Sequence, residues 1–349
     1  MTPTRIYLDH AATTPLLPAA RAALLDGFAR WANPSSPHAE GRGARAALED
    51  ARARIAAALG WQGEVIFTSG ASEALAIALT RCRLPLAAVS PVEHEAVLRH
   101  ADGAERLAVD ADGLVDPAAA ARRGLVAVQQ VNNETGVIQP LDAIAAAVRA
   151  AGGLLLADCA QGAGKLPLPD ADLIALSAHK FGGPIGIGAL LVRDWAMLRP
   201  SGGQERGYRA GTENLPGALA MAAALERGAD WLANAARLRR QWEVSICAAG
   251  GEIVAAEVPR LATIGACRMP GVSAAAQLIR FDSLGISVSA GSACSSGSLR
   301  TSHVLGAMSM DAGPASEVIR VSVGRETGAA DIARFVEVWR GIARGRAAA

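Results

Sequence analysis

The sequence predicts an α/β protein with a mostly parallel sheet flanked by helices, followed by a smaller α+β lobe. Three observations carry this. Short apolar runs alternate with helix-period stretches over roughly the first 240 residues, the pattern of a parallel sheet covered on both faces. That alternation then gives way to isolated strands and helices. At 349 residues, 51% of them hydrophobic, the chain can bury more than one small core.

Strands are expected at 64–68, 86–90, 125–131, 153–157, 172–177 and 187–192, each a short apolar run bounded by polar or turn residues. Helices fall between several of them. The clearest is 41–59, where Ala44, Ala47, Leu48, Ala51, Ile55 and Ala58 share one face opposite arginines and acids. Stretches 73–80, 141–151 and 216–235 also read as helices. Beyond them come a helix at 274–284, a strand at 286–289, a Gly/Ser-rich segment to Ser298, a strand at 318–323 and a closing helix at 330–344. The tail after that helix is expected to fray.

Charge sets some limits. With 34 basic against 33 acidic residues, nothing suggests a nucleic-acid or membrane partner. No apolar run reaches the ~18 residues of a membrane helix, and the first residues lack the pattern of a signal peptide. Both point to the cytoplasm. Cys82, Cys159, Cys247, Cys267 and Cys294 are scattered and never in CxxC spacing, so free thiols and no metal site are expected. Among the 34 basic residues only Lys165 and Lys180 are lysine. A chain that writes its positive charge as arginine keeps a lysine where an amine is needed, because a guanidinium neither forms an imine nor deprotonates near neutrality.

In open parallel sheets ligands bind beyond the carboxyl ends of the strands, and the polar residues there are informative. After 64–68 comes Ser69-Gly70-Ala71-Ser72-Glu73, a glycine turn entering a helix and suited to phosphate. Taken alone, it reads as an ordinary serine cap. Asp158 follows 153–157 and either caps a helix or holds a proton on a ring nitrogen. Lys180, in Ala178-His179-Lys180-Phe181-Gly182-Gly183, suits an amine reaching a buried carbonyl. A surface lysine is the plain alternative, weakened by the scarcity of lysine. Asn133 and His94 follow two further strands; a turn and a structural histidine are their plain alternatives. In the second lobe, Cys294 lies among small residues that cannot bury it, which favours an exposed thiol over a core cysteine. Arg320 alternates with Ser322 on one face of its strand. It either grips a carboxylate through two parallel hydrogen bonds or serves a structural ion pair.

Together these segments resemble the cysteine desulfurases of the NifS/IscS-like kind, within the fold-type I (aspartate aminotransferase-like) pyridoxal-phosphate enzymes. The resemblance runs from Tyr7-Leu8-Asp9-His10-Ala11-Ala12-Thr13-Thr14-Pro15 to Ile319-Arg320-Val321-Ser322. Its most specific motifs are Ser177-Ala178-His179-Lys180, Gly203-Gln204-Glu205-Arg206-Gly207 through Arg209-Ala210-Gly211-Thr212-Glu213-Asn214, and Gly291-Ser292-Ala293-Cys294.

The resemblance implies a seven-stranded cofactor-binding sheet in a large domain over 13–240. The small domain would comprise 1–12 and 241–349 and carry the catalytic cysteine. It implies pyridoxal 5'-phosphate held as a Schiff base by Lys180, with His94 stacked on the ring and able to act as acid–base. Asp158 would pair with the ring nitrogen and Gln161 with the ring hydroxyl. Ala71, Ser72, Ser177 and His179 would bind the phosphate, joined by Thr212 from a second subunit of a homodimer. Asn133 and Arg320 would hold the carboxylate of L-cysteine, and Cys294 would take its sulfur as a persulfide while alanine leaves. A sulfur-acceptor protein would follow, with iron–sulfur cluster assembly as the expected destination and a scaffold protein as its receiver. Ser72 stands where the family usually has threonine, and the following helix lacks the usual asparagine. The chain also stops soon after its last helix, which puts scaffold docking in doubt. A selenocysteine lyase, or a weakly active homologue serving as a binding subunit of a sulfur-transfer assembly, are the competing readings.

Overall fold

The computed structural model describes residues 5–291 and 302–345. The chain runs β1 (Ile6–Tyr7), α1 (Pro18–Ala29), α2 (Ala39–Leu59), β2 (Glu64–Thr68), α3 (Ala71–Arg81), β3 (Leu86–Val89), α4 (Glu95–Leu98), β4 (Glu105–Arg106) and β5 (Leu125–Ala127). It continues through α5 (Leu141–Ala150), β6 (Leu154–Asp158), β7 (Leu173–Ser177), β8 (Gly188–Val192), α6 (Leu215–Leu225) and α7 (Leu232–Cys247). The last part holds β9 (Glu252–Ile253), β10 (Ile264–Arg268), α8 (Ala274–Ser283), β11 (Ile286–Ser287), α9 (His303–Ala307), α10 (Ala312–Ala315), β12 (Val318–Ser322) and α11 (Ala329–Gly345).

A seven-stranded sheet of order β2-β8-β7-β6-β5-β3-β4 forms the large layer. The pairings from β4 through β7 are parallel, and β8 runs antiparallel to both β7 and β2. Every residue of β7 and β8 is buried, as expected of strands covered on both faces, which is why they read as unbroken apolar runs. On α2, Ala44, Leu48, Ala51 and Ile55 form the buried stripe. The helix ends at Gly60, whose left-handed φ of 65° closes the last turn onto the carbonyls of Ala56 and Ala57.

The second core is separate. Trp242, Phe281, Phe335 and Trp339 centre it, with the Trp242 and Phe335 rings edge-to-face at 5.9 Å. It packs around the antiparallel sheet β12-β10-β9. Leu8 belongs to this cluster, and β1 pairs in parallel with β11. Residues 6–8 therefore lie with the carboxyl-terminal core.

Several elements differ from expectation. The stretch 216–235 is interrupted between α6 and α7, where Gly228 takes a left-handed φ of 64°. The run 125–131 leaves the sheet at Ala127, and Val131 bridges Ile138 instead. Helix α1 has no apolar stripe to announce it: it buries Ala20 and Gly27 and exposes Leu25 and Phe28. It forms because Gly27 lets it lie directly on α6; a Cβ there would sit 2.4 Å from the Cα of Pro216. No helix among the described residues is long and apolar enough to cross a membrane.

Candidate active site

Strands β2, β6 and β7 present their carboxyl ends to one cavity of about 660 Å³. Ala71 and Ser72 line it from the start of α3, His94 from the start of α4, Asp158 from the end of β6, Gln161 from just beyond it, and Ser177, His179 and Lys180 from the end of β7 and the turn after it. Asn133 and Arg320 line the same cavity from the loop after β5 and from β12. Thr212 does not line it and is solvent-exposed. Cys294 lies outside the described residues; the residue before that stretch, Gly291, lines the cavity.

Lys180 closes the short turn Ala178–Lys180 that follows β7. Its Nζ donates to the carbonyl oxygens of Ala11 at 2.7 Å and Ala12 at 2.8 Å. The amino-terminal segment is thus strapped across the lysine, and Thr14 Oγ1 donates to the Lys180 carbonyl at 3.2 Å. Asp158 is buried, and Ala160 N–H donates to its Oδ1 at 2.9 Å. Burial raises its pKa; that bond, His94 and Lys180 pull the other way. The His94 Nδ1 accepts from Ala96 N–H at 3.1 Å and caps α4. Accepting at Nδ1 leaves the proton of the neutral ring on Nε2. Burial, followed by the opposing pull of Asp158 and the push of Lys180, lowers its pKa and favours that neutral ring. His179, hydrogen-bonded through Nδ1 to Thr13 Oγ1 at 3.2 Å, is lowered to about 4 by burial, Lys180 and Lys165.

The entry to α3 is tightly built. Gly70 has φ 156°, and a Cβ on Gly188, opposite it, would lie 2.6 Å from the Gly70 Cα. No larger residue fits between this turn and β8. Gly70, Ala71 and Ser72, at the start of α3, line the cavity with Ser177, and a helix start offers unpaired N–H groups suited to an anion. Glu73 is turned aside: it accepts from Ser69 N–H, and Arg209 Nε donates to its Oε1 at 2.8 Å.

Arg320 is buried on β12. Its Nη1 donates to the Asn133 carbonyl at 2.9 Å and its Nη2 to Asp9 Oδ1 at 2.7 Å. Asn132 Oδ1 accepts from the N–H groups of Glu134 and Thr135, both at 2.9 Å, fixing the loop that presents Asn133. Glu134 in turn accepts from Ser302 Oγ at 2.6 Å.

The cavity fits pyridoxal phosphate on its own chemistry. It offers a primary amine, a buried carboxylate that needs a cationic partner, and an anion-binding helix start. It also offers a buried Gln161 Oε1 without a hydrogen-bond partner, beside a Gln161 Nε2 that donates to the Ala11 carbonyl at 2.9 Å. A lone buried acceptor of this kind costs stability unless a ligand donor meets it.

Fold and site define a class, the pyridoxal-phosphate enzymes of fold type I, and the comparisons narrow it. The family model for class-V aminotransferases matches residues 6–335. A cysteine desulfurase of Cereibacter sphaeroides is 37% identical over 96% of this chain and 94% of its own. The structure of a NifS-like protein from Rickettsia africae superposes with a TM-score of 0.88 at 28% identity, covering 97% of this chain and 99% of that one. A structure of SspA in complex with cysteine superposes at 0.78 with 29% identity, over 92% of this chain and 99% of that one. The chain belongs to the class-V aminotransferase family, among its cysteine desulfurase members, and its cofactor is pyridoxal phosphate.

Two participants were not singled out from the sequence. Asp9 lies inside the Tyr7–Pro15 motif with no signal of its own, yet it holds Arg320. Lys165 was counted only as the other lysine, yet it is buried close behind the site. The run of polar residues in Tyr7–Thr14 was the available signal for the first; the lysine count was the signal for the second.

Proposed function

We propose that the chain converts L-cysteine to L-alanine and passes the sulfur to Cys294 as a persulfide. The observation that carries this is the meeting, in one cavity, of Lys180 and Asp158 with the buried Arg320. The first two serve a cofactor, and the third serves an amino-acid carboxylate.

Pyridoxal phosphate supplies a carbonyl for the substrate amine and an electron-withdrawing ring that makes bond breaking at the adjacent carbons feasible. The residues do the rest. Asp158 would keep a proton at the ring nitrogen of the bound cofactor, and Gln161 would meet its hydroxyl. His94 would cover the ring, while Ala71, Ser72, Ser177 and His179 would receive the phosphate. Arg320 and Asn133 fix the substrate carboxylate and so orient its Cα–H toward Lys180. Lys180 carries the cofactor and then, as an amine, takes that proton. The Cys294 thiolate attacks the substrate sulfur: an S–S bond forms, the C–S bond breaks, and its electron pair stays with the carbon skeleton. Protonation of that skeleton yields alanine. The thiolate is the nucleophile, so its activation sets the rate of this step.

Residues 13–240 would form the cofactor-binding domain, and 1–12 with 241–349 the domain that brings Arg320 and Cys294. A homodimer is supported by the exposed Phe28, Trp31 and Ile185, the last two each 79% accessible, and by Thr212, which would complete the phosphate site of the partner. An acceptor protein then takes the persulfide sulfur, with iron–sulfur cluster assembly as the destination and the cytoplasm as the compartment.

Alanine release from L-cysteine by wild type and Cys294→Ser tests the reading. The serine variant should keep the yellow cofactor and lose persulfide and nearly all alanine, because a hydroxyl is a poor sulfur acceptor. Wild-type turnover by the variant would overturn the role of Cys294.

A further inference from the structure

Lys165 and Lys180 are the chain's two lysines, and they lie close together. Both line a void of about 20 Å³ behind the active-site cavity, shared with Thr14 and Arg325. Lys165 is 9% exposed, and its Nζ donates to the Gln161 carbonyl at 3.1 Å. The Gln161 side chain donates to the Ala11 carbonyl, which also accepts from Lys180. The two ammonium groups are therefore joined through two residues, Gln161 and Ala11, and among the described residues no carboxylate forms an ion pair with Lys165. A buried ammonium held only by a carbonyl oxygen is a poor structural device. An apolar residue would fill the volume at lower desolvation cost, and a surface charge would be written as arginine in this chain.

We propose that Lys165 is a positioning residue that acts through Lys180: its charge lowers the proton affinity of the Lys180 nitrogen, both while that nitrogen holds the cofactor and once it is released as the amine that takes the substrate proton near neutral pH. This rests on Lys180 being the residue that carries the cofactor. A cation beside a catalytic lysine is an effective way to make it a base. Lys165 itself is pushed down to about 7 by burial and then by Lys180, as expected of two amines competing for one proton. Other charges also face the pair. Asp158 and His94 lie toward the cavity, His179 stands beside Lys180, and His10, lowered to about 4 by burial and then by Lys165, stands beside Lys165. Arg325 lines the void but is paired with Asp230 at 3.4 Å. Among these groups Asp158 opposes the effect, and a bound cofactor's ring would engage it.

The test compares wild-type, Lys165→Met and Lys165→Arg holoenzymes by titrating the near-visible cofactor absorbance against pH. Borohydride reduction and peptide mass spectrometry locate the cofactor in each. The midpoint should rise by about one unit, a tenfold gain in proton affinity, in Lys165→Met and stay near wild type in Lys165→Arg. An unchanged midpoint in Lys165→Met, with the label on Lys180, overturns the proposal and leaves the assignment of Lys180 standing. A wild-type label on Lys165 overturns the assignment itself. A reciprocal measurement covers a methionine variant that does not fold. Lysine labelled with ¹³C at the ε-carbon reports Lys165 in wild type and in Lys180→Ala, and its titration midpoint should rise by the same amount when Lys180 is removed. The same Lys165 midpoint in both proteins equally overturns the proposal.

Discussion

The floor of the cavity stands on strands that neighbour one another in a single sheet, whereas its opposite wall is gathered from across the chain. Asp158 ends β6 and Lys180 follows β7, and the two strands pair directly, so their spacing is set by one ladder of backbone hydrogen bonds. Arg320 depends instead on Asp9, 311 residues away, and on the carbonyl of Asn133, 187 residues away. The floor is held by structure that would exist without the site. The wall exists only when three distant segments meet. Lesions in the floor should therefore damage chemistry with little effect on substrate affinity, and lesions in the wall should do the reverse.

The sharpest challenge to that division is Lys180→Ala. It should lower alanine formation by about 10³-fold or more and remove the borohydride-stable label, while the thermal midpoint stays within a few degrees of wild type. Retained activity would break the comparison at its strongest point. Arg320→Gln comes next. Losing a charge-assisted pair of hydrogen bonds should cost roughly 10- to 100-fold in kcat/KM for L-cysteine. The cofactor spectrum before substrate addition should be unchanged. An altered resting spectrum would mean that the wall also shapes the floor. Asp9→Asn should be milder, a several-fold rise in KM with kcat near wild type, because the amide oxygen still accepts from Arg320 while the charge is lost. Equal losses in kcat and kcat/KM would instead place Asp9 in the chemistry.

The smallest effect concerns stability. His10 and His179 both have folded pKa values near 4, below the ordinary 6.5. The unfolded chain then binds more protons than the folded one between those values, so stability rises with pH across that window. The contribution is full above about 6.5 and is lost as pH falls through about 4. Urea titrations at several pH values should show this slope, and it should flatten in His10→Gln. An identical slope in the variant would show that His10 does not contribute to it.

The same division explains what could be read beforehand. The floor was legible because strand-end polar residues interrupt long apolar runs, and because lysine is so scarce that Lys180 stands out. The wall was legible in Arg320, an arginine on a strand face, and in Asn133, a polar residue beyond a strand; no local pattern connects either of them to Asp9. Helix α1 left no periodic signal because its close contact with α6 is made by a glycine rather than by apolar side chains. Strand β4 is two exposed residues, Glu105 and Arg106, too short to show any alternation. The break before α7 is hidden in an alanine-rich stretch whose composition is helical on both sides, and Gly228 was its one mark.

The pairing of β1 with β11, and the hydrogen bond from Ala11 N–H to Ser322 Oγ, 311 residues on, constrain the order of events during synthesis. The seven strands of the large sheet all precede residue 193 and can assemble while the rest is still being translated. The strap over Lys180 cannot dock until residues 286 and 322 have left the ribosome. A nascent or truncated chain can thus hold a finished sheet and still leave its reactive amine uncovered.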